Sequence, residues 1–111
     1  MKVTVFHKDF EDNSFTRVAV VNVPEEISAF GTTNECLEYA YRYTNNVDGS
    51  WSMKIGSDAN DNVEVVAELP VSKKTGKQMG LRSTMMFDRM EVESGDVYSV
   101  DMVGFKALEA A

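Results

Sequence analysis

The 111-residue chain has little of what most catalytic or disulfide-linked proteins need: one cysteine, one histidine and two prolines. A lone Cys36 excludes an internal disulfide framework and is typical of proteins in a reducing cytoplasm. No zinc cluster and no catalytic triad can be assembled from His7 and Cys36 at the expected spacings. The sequence therefore predicts a protein that is not an enzyme and binds no metal or cofactor.

Long hydrophobic runs are also missing. No segment approaches the roughly 18 consecutive apolar residues that cross a bilayer. The first eight residues alternate apolar with polar or charged side chains, which favours a strand over a signal peptide. Gly76 and Gly80 flank Lys77 without the spacing of a phosphate-binding loop. We therefore expect a soluble cytoplasmic protein that has no membrane association.

The composition is sufficient for one compact domain. Hydrophobic residues make up 43% of the chain and include six Phe, four Tyr and one Trp. That content supports a folded core, and a chain of this length has room for a single domain covering 1–111. The methionines, seven in all, are abundant for so small a protein and suit either core filling or an adaptable binding surface.

Charge is unevenly distributed along the chain. The net charge of −7 opposes non-specific binding to nucleic acid. Five of the eleven basic residues fall within seventeen positions, and acidic residues follow almost at once. Three interpretations stay open at this point: a solvated loop and hairpin, an acidic surface for a basic partner, or a basic loop for phosphate.

Periodicity predicts the order β-β-α-β-β-β. Alternation and β-branched residues indicate strands at 2–6, 15–23 and 63–69, and a closing hairpin of 84–92 with 97–105. Thr32 and Glu35 form a capping-box pattern that starts a helix ending near residues 45–49. Residues 72–80 read as a mobile basic loop. The expected fold is α+β: a single antiparallel sheet with one main helix packed on one face.

A few single residues have specific expectations. His7 is expected to be solvated at a strand end, and 58–62 to form a turn rather than a calcium loop. Asp88 is expected to cap a turn or accept backbone amides, with ligand binding as the alternative. Gly104 is expected to mark a bulge that turns Phe105 into the core against the helix and leaves the following lysine in water.

Two motifs resemble a known group of proteins. The ending Tyr98-x-Val-Asp101-x-x-Gly104-Phe105-Lys, with Arg82-Ser-Thr and Asp88 before it, resembles the closing hairpin of YodL-like domains. The helix sequence Glu38-x-Ala-Tyr-x-x-Thr-Asn, followed by Trp51, is similar to small proteins of bacteriophages and plasmids. The resemblance covers about half of the chain. It implies a fold and a mobile-element setting, such as counter-defence or host takeover.

The leading functional hypothesis is a non-enzymatic accessory protein that binds a basic surface on a host protein. The predicted contact combines carboxylates with apolar side chains: Glu91, Glu93, Asp96, Asp101, Met85 and Phe87. Pairing through an open sheet edge makes a homodimer a further expectation.

The alternative hypothesis is a protein that sequesters a nucleotide or another phosphate ligand. Its expected residues are cations, a carboxylate and an aromatic ring: Arg82, Arg89, Lys73, Lys77, Asp88 and Trp51. Tyr41 or Tyr43 would serve as a second stacking ring. Single-stranded nucleic acid is the least favoured partner, because a protein of this charge supplies a poor basic stacking face.

Overall fold

The computed structural model describes residues 1–108 and contains a single antiparallel sheet with one main helix, which confirms the predicted fold class. The sheet has six strands, whereas the sequence pattern predicts five. The strands are β1 (Lys2–Lys8), β2 (Phe15–Asn22), β3 (Val63–Val65), β4 (Arg89–Val92), β5 (Val97–Val100) and β6 (Phe105–Ala107). The helices are the short α1 (Glu25–Ser28) and the main α2 (Thr33–Arg42), with a 3-10 turn at Gly56–Asp58. The spatial order of the strands is β3-β2-β1-β4-β5-β6.

The first strand forms the centre of the sheet. Its alternating pattern places Val3 and Val5 on the buried face. The register with β2 shifts after Val5, so Phe6 pairs with Arg17 and Val18 forms a bulge. On its other side β1 pairs with β4, which brings residues almost ninety positions apart into direct contact.

Helix α2 covers the buried face of this sheet. Thr32 caps it by accepting a hydrogen bond from the Glu35 amide at 3.2 Å, which confirms the threonine half of the predicted box. The Glu35 carboxylate lies over Gly31 instead, close enough that an added Cβ there would be 2.5 Å from its oxygen. Cys36, Leu37 and Ala40 form the buried stripe of the helix.

The core collects side chains from the strands, from α2 and from the loop that follows the helix. Trp51 is completely buried in it, and its indole N–H donates to the Arg82 carbonyl at 2.9 Å. The other fully enclosed large apolar side chains are Leu37, Met90, Val3, Val5 and Val21. The opposite face of the sheet carries no helix among residues 1–108.

Four predicted boundaries are wrong by three residues or more. Helix α2 ends at Arg42 rather than near residues 45–49, with Tyr43 as its C-cap. β3 ends at Val65 instead of 69, since Val66 leaves the ladder after one hydrogen bond to Val18. Residues 84–88 form a turn, and β4 begins only at Arg89. The predicted last strand, 97–105, is a hairpin of β5 and β6 rather than one bulged strand.

Gly104 explains that last difference. Its φ of +78° is a left-handed conformation that reverses the chain, and the Asp101 amide donates to the Gly104 carbonyl across the turn. The predicted destination of Phe105 is confirmed, because its ring packs edge-on against Tyr41 of α2 at 6.1 Å, while Lys106 is exposed.

The basic segment 72–80 contains a small hairpin of its own. Val71 pairs with Gln78, and the Ser72 amide donates to the Lys77 carbonyl at 2.9 Å. The lysines at 73, 74 and 77 are all exposed on it. No helix within residues 1–108 is long and apolar enough to cross a membrane.

Candidate functional site

The four carboxylates of the predicted acidic surface lie at different places on the closing hairpin. Glu93 and Asp96 lie in the tight turn between β4 and β5, whereas Asp101 follows the opposite end of β5. Glu91 points to the uncovered face of the sheet, paired with Thr4 and Val97. A four-residue strand separates the two ends by roughly 13 Å. The four carboxylates therefore do not form one cluster, and their contact with a partner stays a prediction.

The two predicted apolar residues, Met85 and Phe87, lie at the Asp101 end of the hairpin. The Phe87 amide donates to the Val100 carbonyl at 2.9 Å, which fixes the turn against β5. Phe87 has a φ of +80°, a left-handed conformation that is rare for a residue with a Cβ and costs about 1–3 kcal/mol. The strained backbone holds the ring in solvent rather than in the core.

Three loops meet at this end of the sheet: 9–14 after β1, 85–88 before β4, and 101–104 after β5. Lys8 bridges the first two, with its Nζ 5.6 Å from the Phe10 ring and 5.5 Å from the Phe87 ring. Five large apolar side chains emerge here, and we call them the apolar end. They are Phe10, Met85, Phe87, Met102 and Val103, exposed by 50, 44, 52, 81 and 91%.

An ion pair lies next to the apolar end, with the Asp88 side chain fully buried and the Arg82 side chain 36% exposed. The two terminal guanidinium nitrogens of Arg82 donate to the Asp88 carboxylate, at 2.7 and 2.8 Å. That carboxylate also accepts the Lys8 and Met85 amides, each at 2.8 Å. The predicted structural role of Asp88 is thus confirmed. Burial raises the pKa of Asp88, but the Arg82 and amide hydrogen bonds and the nearby His7 outweigh burial and hold the pKa below its usual value.

His7 is buried, which contradicts the expectation that it is solvated. Its Nε2 lies 2.9 Å from the Thr84 hydroxyl, which donates in turn to the Thr44 hydroxyl at 2.8 Å. Thr44 donates its own hydroxyl proton to the Ala40 carbonyl. Because each threonine hydroxyl has one proton and both are used in this way, the Nε2–H of His7 must donate to the Thr84 oxygen. Burial lowers the pKa of His7 to about 4, the nearby Asp88 opposes this, and Arg82 adds to it.

Asp58 anchors the loop that follows α2. One of its carboxylate oxygens accepts three consecutive amides, from Val47, Asp48 and Gly49, at 2.9, 2.8 and 2.6 Å. Arg42 bonds the other oxygen at 3.0 Å. The amide of Gly49 contributes most to lowering the pKa of Asp58, and burial opposes the shift. Both oxygens of the Asp58 carboxylate accept hydrogen bonds from the protein itself, as expected for a turn rather than a calcium loop.

The residues of the alternative phosphate or nucleotide site are not brought together. Trp51 cannot stack a base because it is fully buried, which corrects that expectation. The guanidinium nitrogens of Arg82 are occupied by Asp88 and by the Ser83 and Lys8 carbonyls. Arg89 stacks on Phe15, on the uncovered face of the sheet, at 4.1 Å. Lys73 and Lys77 lie apart from these residues, on the hairpin at 71–78.

Cys36 and a metal site are the two remaining candidates for reactive chemistry. Burial raises the pKa of the Cys36 thiol, so this side chain stays protonated at neutral pH. Within residues 1–108, no three histidine, cysteine or carboxylate side chains converge in a way that would hold a metal ion.

Sequence reasoning missed the contribution of Phe10, Met102 and Val103 to the apolar end. The available signal was their position in turns, where a large apolar side chain has no core to enter. It also missed the buried chain from His7 to Thr84 and Thr44. These partners are 77 and 40 positions apart, and local periodicity carries no information about such pairs.

No protein-family model, curated protein or solved structure matches this chain. The resemblance to YodL-like domains and small phage proteins therefore stays a prediction.

Proposed function

We propose that this protein is a non-enzymatic binding module that docks onto a host protein through its apolar end. In the setting that the resemblance implies, it is a phage or mobile-element protein acting inside the host cell in counter-defence or host takeover. The single observation that carries the proposal is the gathering of five exposed large apolar side chains from three separate loops. Exposed apolar side chains gathered at one end of a domain are typical of sites where proteins bind one another.

The strain at Phe87 supports the same interpretation. A left-handed backbone at an aromatic residue persists only when its surroundings impose it, and such residues cluster at functional sites. Here hydrogen bonds fix the turn: the Met85 amide donates to the Asp88 carboxylate, and the Phe87 amide donates to the Val100 carbonyl. The fold thus expends stability to keep an aromatic ring in solvent, where the ring can serve as a contact anchor.

Charge defines the kind of partner. The chain carries −7 overall, so its long-range field attracts a basic surface. Asp101 borders the apolar end, and Arg82 beside Phe10 is neutralised by Asp88. Lys8 also lies at this end, over the Phe10 and Phe87 rings, so the attraction of a basic partner comes from the net charge and from Asp101. The partner expected from these charges is a protein with an apolar patch bordered by arginine or lysine.

The proposal is tested by partner capture followed by a binding measurement. The tagged full chain is used to capture partners from host lysate, and the captured protein is identified, purified and titrated by calorimetry. Met102→Ser with Val103→Ser should weaken binding at least tenfold, because both side chains are exposed and their loss leaves the core intact. Val47→Ser with Val71→Ser is the matched control on exposed valines elsewhere. Equal affinities for the two double variants would overturn the proposal.

A further inference from the structure

A small cleft lies beside the apolar end, between α2 and the β5–β6 hairpin. Its volume is about 240 Å³, below the roughly 300 Å³ at which pockets for drug-sized ligands begin. Tyr41 and Phe105, packed edge to face, form one part of its wall. Glu38 from the helix and Asp101 from the turn contribute carboxylates, and Met102 links the cleft to the apolar end. The space suits one side chain rather than a nucleotide.

Both carboxylates retain binding capacity. Glu38 accepts one hydrogen bond, from the Asn34 amide group through Oε1, and Asp101 accepts one, from the Met102 amide through Oδ1. Both residues are exposed, and neither forms an ion pair with the described residues. The cleft lining contains no lysine or arginine. The cleft therefore combines two carboxylates that form no ion pair with the described residues and two aromatic rings.

We propose that this cleft receives an arginine side chain of the basic partner, an inference that rests on the proposed function and names the group recognised. The guanidinium is planar, stacks on aromatic faces and donates to carboxylates in a fixed fork. Its three-carbon stem lies well along an apolar wall while the charged head meets carboxylates. Lysine offers a compact, more strongly hydrated charge with no plane to stack, so it binds less well here.

Other occupants fit the cleft less well. An acidic side chain would meet two carboxylates of its own sign, and a purely apolar one would form no ion pair with either of them. A divalent cation takes roughly six or more oxygen ligands, whereas the lining supplies two carboxylates, and within residues 1–108 no three histidine, cysteine or carboxylate side chains converge to hold a metal ion. The combination of two carboxylates with two aromatic rings discriminates in favour of a cation that has an apolar stem.

The test is an amide-resolved NMR titration of the ¹⁵N-labelled full chain with N-acetyl-arginine amide. The lysine and norleucine amides serve as comparison probes of similar length. Arginine should shift the amides of Asp101, Gly104 and Phe105 with millimolar affinity, since a single side chain makes few contacts. Lysine should give smaller shifts, and norleucine should leave these amides unchanged.

Charge-neutralised variants separate the cleft from the general negative field. Glu38→Gln with Asp101→Asn should abolish the arginine shifts. Glu93→Gln with Asp96→Asn changes the net charge equally at the other end of the hairpin and should leave them intact. Absence of arginine shifts, or equal loss in both double variants, would overturn the site. A lysine or norleucine response as strong as that of arginine would overturn the assignment to arginine. The titration needs no partner protein, so a failed arginine site is distinguishable from a failed docking proposal.

Discussion

Asp88 and Arg82 are joined at both prongs, with guanidinium nitrogens 2.7 and 2.8 Å from the two carboxylate oxygens. Arg82 also donates to the Lys8 carbonyl, and Asp88 accepts the Lys8 amide. The pair therefore satisfies both backbone groups of the last residue of β1. It ties the central strand to the turn that presents Phe87.

Breaking this pair should be costly. Asp88→Asn keeps the shape of the side chain but removes the charge opposite Arg82, in a site with no solvent access to residue 88. We expect a loss of about 3 kcal/mol in the free energy of unfolding, measured by urea denaturation. Asp61→Asn, at an exposed aspartate, is the control and should change stability by less than about 0.5 kcal/mol. Equal stability of the two variants would mean that the pair is dispensable.

Acidification should destabilise the protein through His7. The folded-state pKa is about 4 and the ordinary value is 6.5, so between these values the unfolded chain binds a proton that the folded chain excludes. The contribution of His7 to the free energy of unfolding is fully present above pH 6.5. It is lost as the pH drops towards 4, by a total on the order of 3 kcal/mol. Asp88, with its lowered pKa, adds a further loss below its ordinary value of 3.8.

The histidine contribution is isolated by His7→Gln, which retains a side-chain N–H for Thr84. Denaturation midpoints of the two proteins are compared from pH 7 to pH 4. The variant should lose the slope between pH 6.5 and 4, while a slope that persists unchanged would assign the acid sensitivity to other groups.

Replacing Phe87 by a residue that tolerates a positive φ should increase the stability of the fold. Asparagine tolerates a positive φ better than phenylalanine, so Phe87→Asn should stabilise the fold by about 0.5–1 kcal/mol. Phe87→Val should destabilise it by about 1–2 kcal/mol, because a β-branched residue tolerates this conformation least. Thermal and urea denaturation give the order Asn, Phe, Val. Reduced stability of the asparagine variant would show that the ring contributes more by packing than it costs in strain.

Substitutions at Gly104 test the requirement for a left-handed backbone, because no neighbouring atom would crowd a new side chain there. A Cβ built there meets no atom within 4 Å, so any cost of substitution comes from the φ of +78°. Gly104→Val should lose roughly 1–3 kcal/mol by chemical denaturation, and Gly104→Asn distinctly less. A valine variant as stable as the unaltered protein would mean that the turn does not depend on the conformational freedom of glycine.

The sequence pattern predicts the parts of the fold that depend on local regularity. Alternation in β1 and the capping threonine of α2 are visible within a few residues, and the structure contains both. The sequence pattern predicts a strand at the 84–88 turn because Met85, Met86 and Phe87 resemble a strand by composition. Their turn is imposed by Asp88, whose partners lie in β1 and at Arg82.

The candidate site was predictable only in part, for a related reason. Apolar character at Met85 and Phe87 is a property of the sequence, whereas their meeting with Phe10 and Met102 depends on strand order. Neither β1 nor the closing hairpin carries a local signal of which strand it will join. The β1–β4 pairing that assembles the apolar end spans most of the chain.

That strand order has a consequence for the order of events during synthesis. A ribosome releases β1 and β2 early, but the second partner of β1 appears only with residues 89–92, several seconds later at roughly 5–20 residues per second. Until then one side of the central strand, its amides and carbonyls unpaired, is open to pairing with another nascent chain. The growing polypeptide is therefore most vulnerable to aggregation just before its last hairpin emerges, and rare codons placed ahead of residue 89 would prolong that interval.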